Sequence, residues 1–474
     1  MTSISSSIPR PDAAAMSAMH ATGSTADLPI AIIGGGPVGL AAAAQCLARG
    51  LEPVILEAGD RVGAAVRAWG HVPMFSEWEF NLDRAAVGLL EKAGWDRPDD
   101  RVYPTGRELA ERYLDPLSAT PEISARLRLN SRVIGMARSQ LGKLRTEGRE
   151  VQPFEVRYGD ASGREHRLFA RAVIDASGTW SNPSPGGANG LPAIGERSAA
   201  DRVRYGMPDV LGAERDRYVG KRVLVVGSGH SAIGTLIDLA ALAELSPGTR
   251  ILWAIRGTDM VRIYGGGSAD QLPRRGALGR RVRALVDQGA IEILTPFALD
   301  EITRGAGGTL VVAGISDGGT RSVEVDEMIV ATGLRPDLSF LGELRLDLDP
   351  ALECSRALAP LIDPNVHSCG TVRPHGAAEL AQPEPGLYLI GMKSYGRAPT
   401  FLLATGYEQA RSVVAKLAGD EEGARRIELV LPETGVCSGS GARPGTAPAE
   451  TEAECCGPKI TTEPRATSCC GAVA

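Results

Sequence analysis

The stretch Ile30-Ala31-Ile32-Ile33-Gly34-Gly35-Gly36-Pro37-Val38-Gly39-Leu40 leaves this chain few choices. An apolar run of strand type stops at Gly34, a Gly-x-Gly-x-x-Gly turn follows, and an Ala-rich, helix-favouring segment runs from Leu40 to Leu47. Gly34 suits a tight turn, Gly36 lets backbone approach a pyrophosphate, and Gly39 lets the helix lie close to the strand. The helix start adds N–H groups and positive dipole. A second apolar run, Pro53 to Leu56, ends in Glu57, eighteen residues past Gly39, where a carboxylate can accept hydrogen bonds from a ribose. Strand, turn, helix and acid in this order predict a dinucleotide cradle rather than a Gly-rich loop.

The rest of the composition narrows the class. A chain of 474 residues is long enough for two or three domains. A formal charge of −6 without a basic block argues against a nucleic-acid surface, and no apolar run reaches membrane-spanning length. Residues 1–27 read as a disordered Ser/Ala-rich leader without a signal-peptide core. Cys46, Cys354 and Cys369 are the thiols of the body, a usage that fits a reducing cytoplasm.

Downstream of Glu57, the loop Ala58 to Ala64, with Gly63, is placed to carry the chain across a bound nucleotide. Trp69, His71, Phe75, Ser76 and Trp78 then cluster, as the floor of a flavin pocket or as a buried aromatic corner. Arg126 to Arg138 and Val151 to Ala170 read as short antiparallel strands leading to a buried strand and the small-residue turn Asp175-Ala176-Ser177-Gly178. Pro183, Pro185, Gly186 and Gly187 mark a linker.

A second cradle follows: Val223 to Val226, then Gly227-Ser228-Gly229-His230-Ser231-Ala232, with alanine at the third small position. Its next strand, Ile251 to Ile255, ends in Arg256 where the first unit has an acid, which suits the 2′-phosphate of NADPH. Val323 to Ala331, with Thr332 and Gly333, reads as the strand and turn closing this unit. Leu387 to Gly391 is one more strand and turn, and Thr405 to Leu417 an amphipathic helix returning to the first domain. The class is therefore α/β: two nested Rossmann-like domains, an internal duplication with one unit inserted in the other. The expected boundaries are 28–200 for the first part of the FAD-binding domain, 201–334 for the NADPH-binding domain and 335–432 for the FAD-binding domain's second part, with a Cys-rich disordered tail over 433–474.

Taken together, Gly34-x-Gly36-x-x-Gly39 with Glu57, Gly227-x-Gly229-x-x-Ala232, and Ala331-Thr332-Gly333 resemble the two-dinucleotide-binding flavoproteins, and within them the class B flavin-containing monooxygenases. The similarity spans Leu28 to Gly419. More narrowly, Ala64 to Trp78 and Asn365 to Gly406 look like the flavin monooxygenase-like proteins of bacterial arsenic-resistance gene clusters. The resemblance implies FAD on the first unit and NADPH on the second. It further implies oxygenation of a soft nucleophile, sulfur, nitrogen or trivalent arsenic, through a C4a-(hydro)peroxyflavin. Trp69, Phe75, Ser76 and Trp78, with Tyr395 and Arg397, are the candidates to line a dry substrate pocket, Gly391 is a further cofactor contact, and His375 is either a proton relay or a loop histidine. The family's Phe-x-Gly-x-x-x-His fingerprint is not visible around Ile194-Gly195, and Met392 stands where disulfide-reductase relatives have Asp. No Cys lies between Cys46 and Cys354, so the redox pair of a disulfide reductase has no place.

The tail carries Cys437, Cys455, Cys456, Cys469 and Cys470 among Gly, Pro, Thr and Glu. Clustered thiols suit thiophilic ions such as trivalent arsenic, whereas vicinal Cys-Cys pairs lack the spacing of a zinc site. Two functions stand open: an FAD- and NADPH-dependent monooxygenase of a small molecule, or a flavin-bearing metalloid-binding protein acting through its tail. A homodimer fits either.

Overall fold

The structure, a computed structural model, describes residues 25–265, 273–366, 372–399 and 401–429. Cys369 and the five tail cysteines lie outside the described residues, as do residues 1–24 of the expected leader, whose last three form a 3₁₀ turn.

Strand β1 (Ile30–Ile33) is buried at every position. Helix α1 (Pro37–Ala48) follows and begins three residues ahead of the predicted Leu40, because Pro37 at its first position fixes a helical φ. Strand β2 (Pro53–Leu56) pairs parallel with β1. Helix α2 (Arg84–Lys92) is capped by Asp83, whose carboxylate accepts from the Ala86 N–H at 2.9 Å, and packs on α1. Strand β3 (Leu127–Arg128) joins the same sheet parallel to β2, correcting the expectation of an antiparallel strand there. Asn130 turns the chain at φ 50°, and Ser131 N–H donates to the Glu57 carbonyl at 2.7 Å. The antiparallel meander therefore starts only at β4 (Arg132–Arg138) and continues through β5 (Phe154–Gly159) and β6 (Glu165–Ala170). Strand β7 (Ala172–Asp175) returns to the open side of β1.

The inserted half repeats this plan. Its strands β8 (Val203–Tyr205) and β9 (Arg222–Val226) precede helix α3 (His230–Leu245), strand β10 (Arg250–Ala254), helix α4 (Pro273–Asp287) and strand β11 (Glu292–Leu294). A meander of β12 (Ala298–Arg304), β13 (Leu310–Ser316) and β14 (Gly319–Val325) leads to β15 (Glu327–Val330). The parallel order is β11-β10-β9-β15-β8. The single closing strand expected from Val323 is in fact two, broken at Asp326. There the Arg222 N–H donates to the Asp326 carboxylate at 2.7 Å while the Asp326 N–H donates to the Arg222 carbonyl at 2.8 Å. Val323 thus belongs to the meander and Met328 to the parallel sheet.

Strand β16 (Leu387–Leu389) then pairs with β7, completing the order β16-β7-β1-β2-β3 in the first half. Helix α5 (Leu403–Leu417) packs along α1, starting two residues before the predicted Thr405. The two connectors between the halves run side by side. Pro183 bridges Leu334, Ser184 N–H donates to the Gly333 carbonyl at 2.9 Å, and Arg335 N–H donates to the Asn182 carbonyl at 2.9 Å. Ala193 and Ala199 already pack in the core of the inserted half.

α1 lies directly on the turn that precedes it: a Cβ at Gly39 would stand 1.9 Å from the Gly34 carbonyl oxygen. Gly39→Ala should therefore destabilise the first half by about 3 kcal/mol through overpacking, while Ala232→Gly in the second half should cost about 1 kcal/mol from helix propensity. Urea unfolding of the two variants measures the difference; equal losses would contradict the packing described.

Candidate active site

In the first half, Gly34 takes φ +102°, and a Cβ there would lie 2.7 Å from the Ala176 carbonyl oxygen at the end of β7. The turn is glycine because the neighbouring strand's backbone occupies the side-chain position. At Gly36, by contrast, nothing lies within 4 Å of where a Cβ would stand. Gly36 is also the N-cap of α1, and no side chain caps that helix. An open concavity facing uncapped helix N–H groups fits an anionic pyrophosphate. Glu57 is buried, its Oε2 accepting from the Gly35 N–H at 2.6 Å and its Oε1 from the Gly59 N–H at 2.8 Å. Its carboxylate thus holds the turns after β1 and β2 together, in place for sugar hydroxyls. Gly63 N–H donates to the Gly35 carbonyl at 3.0 Å, bringing the following loop back onto the cradle. Gly391, just past β16, sits against Val38 in the first turn of α1.

The second half presents the same geometry. Gly227 takes φ +129°, and a Cβ there would meet the Ala331 carbonyl oxygen at 2.3 Å. Gly229 is open, with no atom within 4 Å of a Cβ, and is the N-cap of α3, again without a side-chain cap. Ala232 is fully buried where the first unit has Gly39, so this helix stands far enough off its strand to admit a methyl group. Arg256 is exposed, and its Nη1 donates to the Ala188 carbonyl of the linker at 2.7 Å. Thr332 Oγ1 donates to the Ser184 carbonyl at 2.8 Å, and Gly333 has open space beside it.

The pocket candidates divide. Phe75 packs edge-on to His230, the first residue of α3, with ring centroids 5.4 Å apart, so this loop of the first half touches the second cradle. Trp69 lies against Gly106, where a Cβ would fall 2.5 Å from its ring. Ser76 Oγ donates to Asn81 Oδ1 at 2.9 Å. Trp78 is inside the core at 1% exposure, with the Arg112 guanidinium 5.9 Å from its ring centroid. Tyr395, 2% exposed, lies between His375 (5.5 Å) and Phe401 (5.3 Å), and burial raises its phenol pKa.

Two polar clusters escaped the sequence reading. Lys393 and Asp175, both fully buried, form an ion pair at 2.6 Å at the carboxyl ends of β16 and β7. Gln409, on α5, accepts from the Gly391 N–H at 2.7 Å and donates to Ser394 Oγ at 2.9 Å. Its Nε2 also lies 2.8 Å from His375 Nε2, which therefore accepts and leaves the ring proton on Nδ1, facing the Arg373 carbonyl at 3.0 Å. A lysine or glutamine carries no sequence signal that it faces inward, since such side chains are ordinarily solvated.

Among the described residues no group of three or more His, Cys, Asp or Glu could hold a metal ion. Cys46 and Cys354 are unpaired and buried, and burial pushes both thiols up to about 12. They are inert as thiolates at neutral pH.

Residues 32–90 match the NAD(P)-binding Rossmann-like domain. Across the chain, the ferredoxin–NADP reductase of Rhodospirillum rubrum is 23% identical over 385 residues, covering 80% of this chain and 88% of its own length. The bacillithiol disulfide reductase of Bacillus cereus superposes with a TM-score of 0.60 at 20% identity, covering 83% of this chain and 99% of that one. The FAD-bound cadaverine monooxygenase of Erwinia amylovora superposes at 0.58 and 14% identity, covering 85% and 98%. The fold is that of the pyridine-nucleotide disulfide oxidoreductases and flavin monooxygenases. No described helix is long and apolar enough to cross a membrane.

Burial lowers the His375 pKa below its ordinary 6.5, so the unfolded chain takes up a proton there before the folded protein does. Stability from this group is complete above pH 6.5 and is lost as pH falls below it, at up to about 1.4 kcal/mol per pH unit. His375→Gln should flatten that part of the profile, as read by urea midpoints between pH 7.5 and 5.5.

Proposed function

We propose that this chain is an FAD-dependent, NADPH-consuming monooxygenase that oxygenates a soft nucleophile: sulfur, nitrogen or trivalent arsenic. That it is a flavin-dependent NAD(P)H oxidoreductase follows from its relatives and fold. The observation that carries the finer reading is two equivalent open cradles in one chain with no reactive thiol at either of the described body cysteines. Among the described residues, electrons delivered from the second cradle meet no reactive thiol, and oxygen is a small acceptor that needs none.

Bound FAD supplies the redox chemistry; the chain supplies position. The uncapped start of α1, with Gly34, Gly36 and Gly39, would receive the FAD pyrophosphate, and Glu57, with lone pairs to spare beside its two backbone partners, would accept from ribose hydroxyls. Gly63 and Gly391 close the cradle. Gly227, Gly229 and Ala232 receive the NADPH pyrophosphate, with Thr332 and Gly333 at its edge. Arg256, exposed beside the linker, would bind the 2′-phosphate. Of Trp69, Phe75, Ser76, Trp78 and Tyr395, Phe75 faces the second cradle and would help exclude water there, while Trp78 belongs to the core behind it. The likeness of Ala64 to Trp78 and Asn365 to Gly406 to arsenic-resistance flavoproteins makes trivalent arsenic the first substrate to try, and the sparse thiols of the body suit the cytoplasm.

A second reading has its own support. The ferredoxin–NADP reductase likeness over 80% of the chain favours an exit of electrons to a protein carrier. The tail cysteines offer a third, capture of a thiophilic ion by Cys437, Cys455, Cys456, Cys469 and Cys470.

One set of assays separates them. NADPH oxidation stimulated by arsenite, with pentavalent arsenic formed, is the expected result. Reduction of ferredoxin without oxygenated product supports the second reading, and stoichiometric arsenite binding lost on truncation at Pro432, without turnover, the third. Arg256→Ala should raise the KM for NADPH about tenfold, the worth of about one charge-assisted contact, and leave that for NADH unchanged. Equal effects on the two nucleotides would remove Arg256 from the 2′-phosphate site.

A further inference from the structure

The buried pair of Lys393 and Asp175 has a setting that packing does not explain. Both side chains are fully buried, at 0% exposure. Removing two charges from water costs several kcal/mol per ion, and apolar residues of similar volume often serve stability as well or better. What the pair does hold is position. Lys393 Nζ reaches three partners on two segments of chain. It bonds Asp175 Oδ2 at 2.6 Å at the end of β7 and Ser177 Oγ at 3.0 Å, and it lies 4.2 Å from the centroid of the Phe340 ring.

Ser177 is on the connector leaving for the inserted half, and Phe340 follows the connector that returns. Between them the two connectors are hydrogen-bonded to each other at Asn182–Arg335 and Ser184–Gly333. Asp175 completes the tie at the outgoing side: its Oδ1 accepts from Ser177 Oγ at 2.6 Å and from the Ser177 N–H at 3.1 Å. Lys393 itself sits two residues past Gly391, in the turn that rests on the start of α1.

We infer that Lys393, with Asp175, is a positioning residue for electron delivery: it fastens the base of the two-strand connector to the first cradle and so fixes how the second cradle presents its nucleotide. This rests on the reading that NADPH occupies the second unit and FAD the first. The pair acts through Ser177 and Phe340.

The test is anaerobic single-turnover reduction of the FAD-loaded protein, followed by the loss of flavin absorbance, with NADPH and separately with dithionite. The double variant Asp175→Asn/Lys393→Met leaves no uncompensated charge in the interior. It should keep its FAD and its dithionite reduction, while the rate at saturating NADPH falls tenfold or more with little change in the half-saturating NADPH concentration. Reduction by NADPH at the wild-type rate overturns the inference. So does a fall in FAD content and thermal midpoint with the NADPH rate per bound flavin unchanged, the signature of a stabilising pair only. If the double variant does not fold, Ser177→Ala and Phe340→Leu decide, since each cuts one tie and leaves the ion pair. About threefold slower reduction in each is expected, and wild-type rates in both overturn the inference. A wild-type protein that NADPH cannot reduce at all sinks the underlying cofactor reading, and this inference with it.

Discussion

Both halves of this protein depend on one backbone contact, made twice. The first glycine of each turn lies where its side chain would collide with a carbonyl of the neighbouring strand, Ala176 in one half and Ala331 in the other. That approach lets the turn pass over the sheet edge and start a helix at once, leaving its first N–H groups uncapped above an open hollow. Everything that marks the chain as a nucleotide carrier is downstream of this: the space at Gly36 and Gly229, the acid or base closing the next strand, and the position of the linker across the second cradle. A sheet with parallel strands places its ligand crevice at the carboxyl ends, and these two turns are at those ends.

The halves are alike in plan and unlike in tightness. Gly39 has no room for a Cβ, while Ala232 carries one in a fully buried position. The first helix is thus pressed onto its turn, and the second stands slightly off; the proposed assignment gives the tighter cradle to the flavin. Polar groups reinforce the same contrast. Around the first cradle Glu57, Gln409 and His375 are buried and hydrogen-bonded, Glu57 to backbone and Gln409 to His375. At the second, Arg256 and Thr332 are exposed and tied to linker carbonyls.

Much of this was legible in the residues. The Gly-rich turns, Glu57 and the strand-type runs are local signals, and a chain of that pattern has one sheet type available to it. Boundaries were less so. Pro37 moved a helix start by fixing φ, Asn130 moved a short strand from the meander into the parallel sheet, and Asp326 split one apparent strand in two. Each of these is a single side chain settling a competition that hydrophobic pattern leaves undecided. The candidate site was legible where backbone makes it and illegible where long-range polar pairs do. Lys393 meets Asp175 across 218 residues of sequence, and Gln409 meets His375 across 34. Residue type alone places lysine and glutamine outside; only the assembled fold supplies their partners. The aromatic cluster shows the opposite limit. Proximity in sequence put Trp69, Phe75 and Trp78 together, yet Trp78 faces the core and Phe75 the second cradle.

The side-by-side run of the two connectors has an architectural consequence. Outgoing and returning chain leave the first sheet through one doorway only two backbones wide, with Pro183 opposite Leu334. Cut at that threshold, the host is left with two neighbouring ends that a tight hairpin could join, and none of its five strands would change neighbour. A unit installed in this way is a cassette: it can be acquired or exchanged while the first half keeps its own strand order.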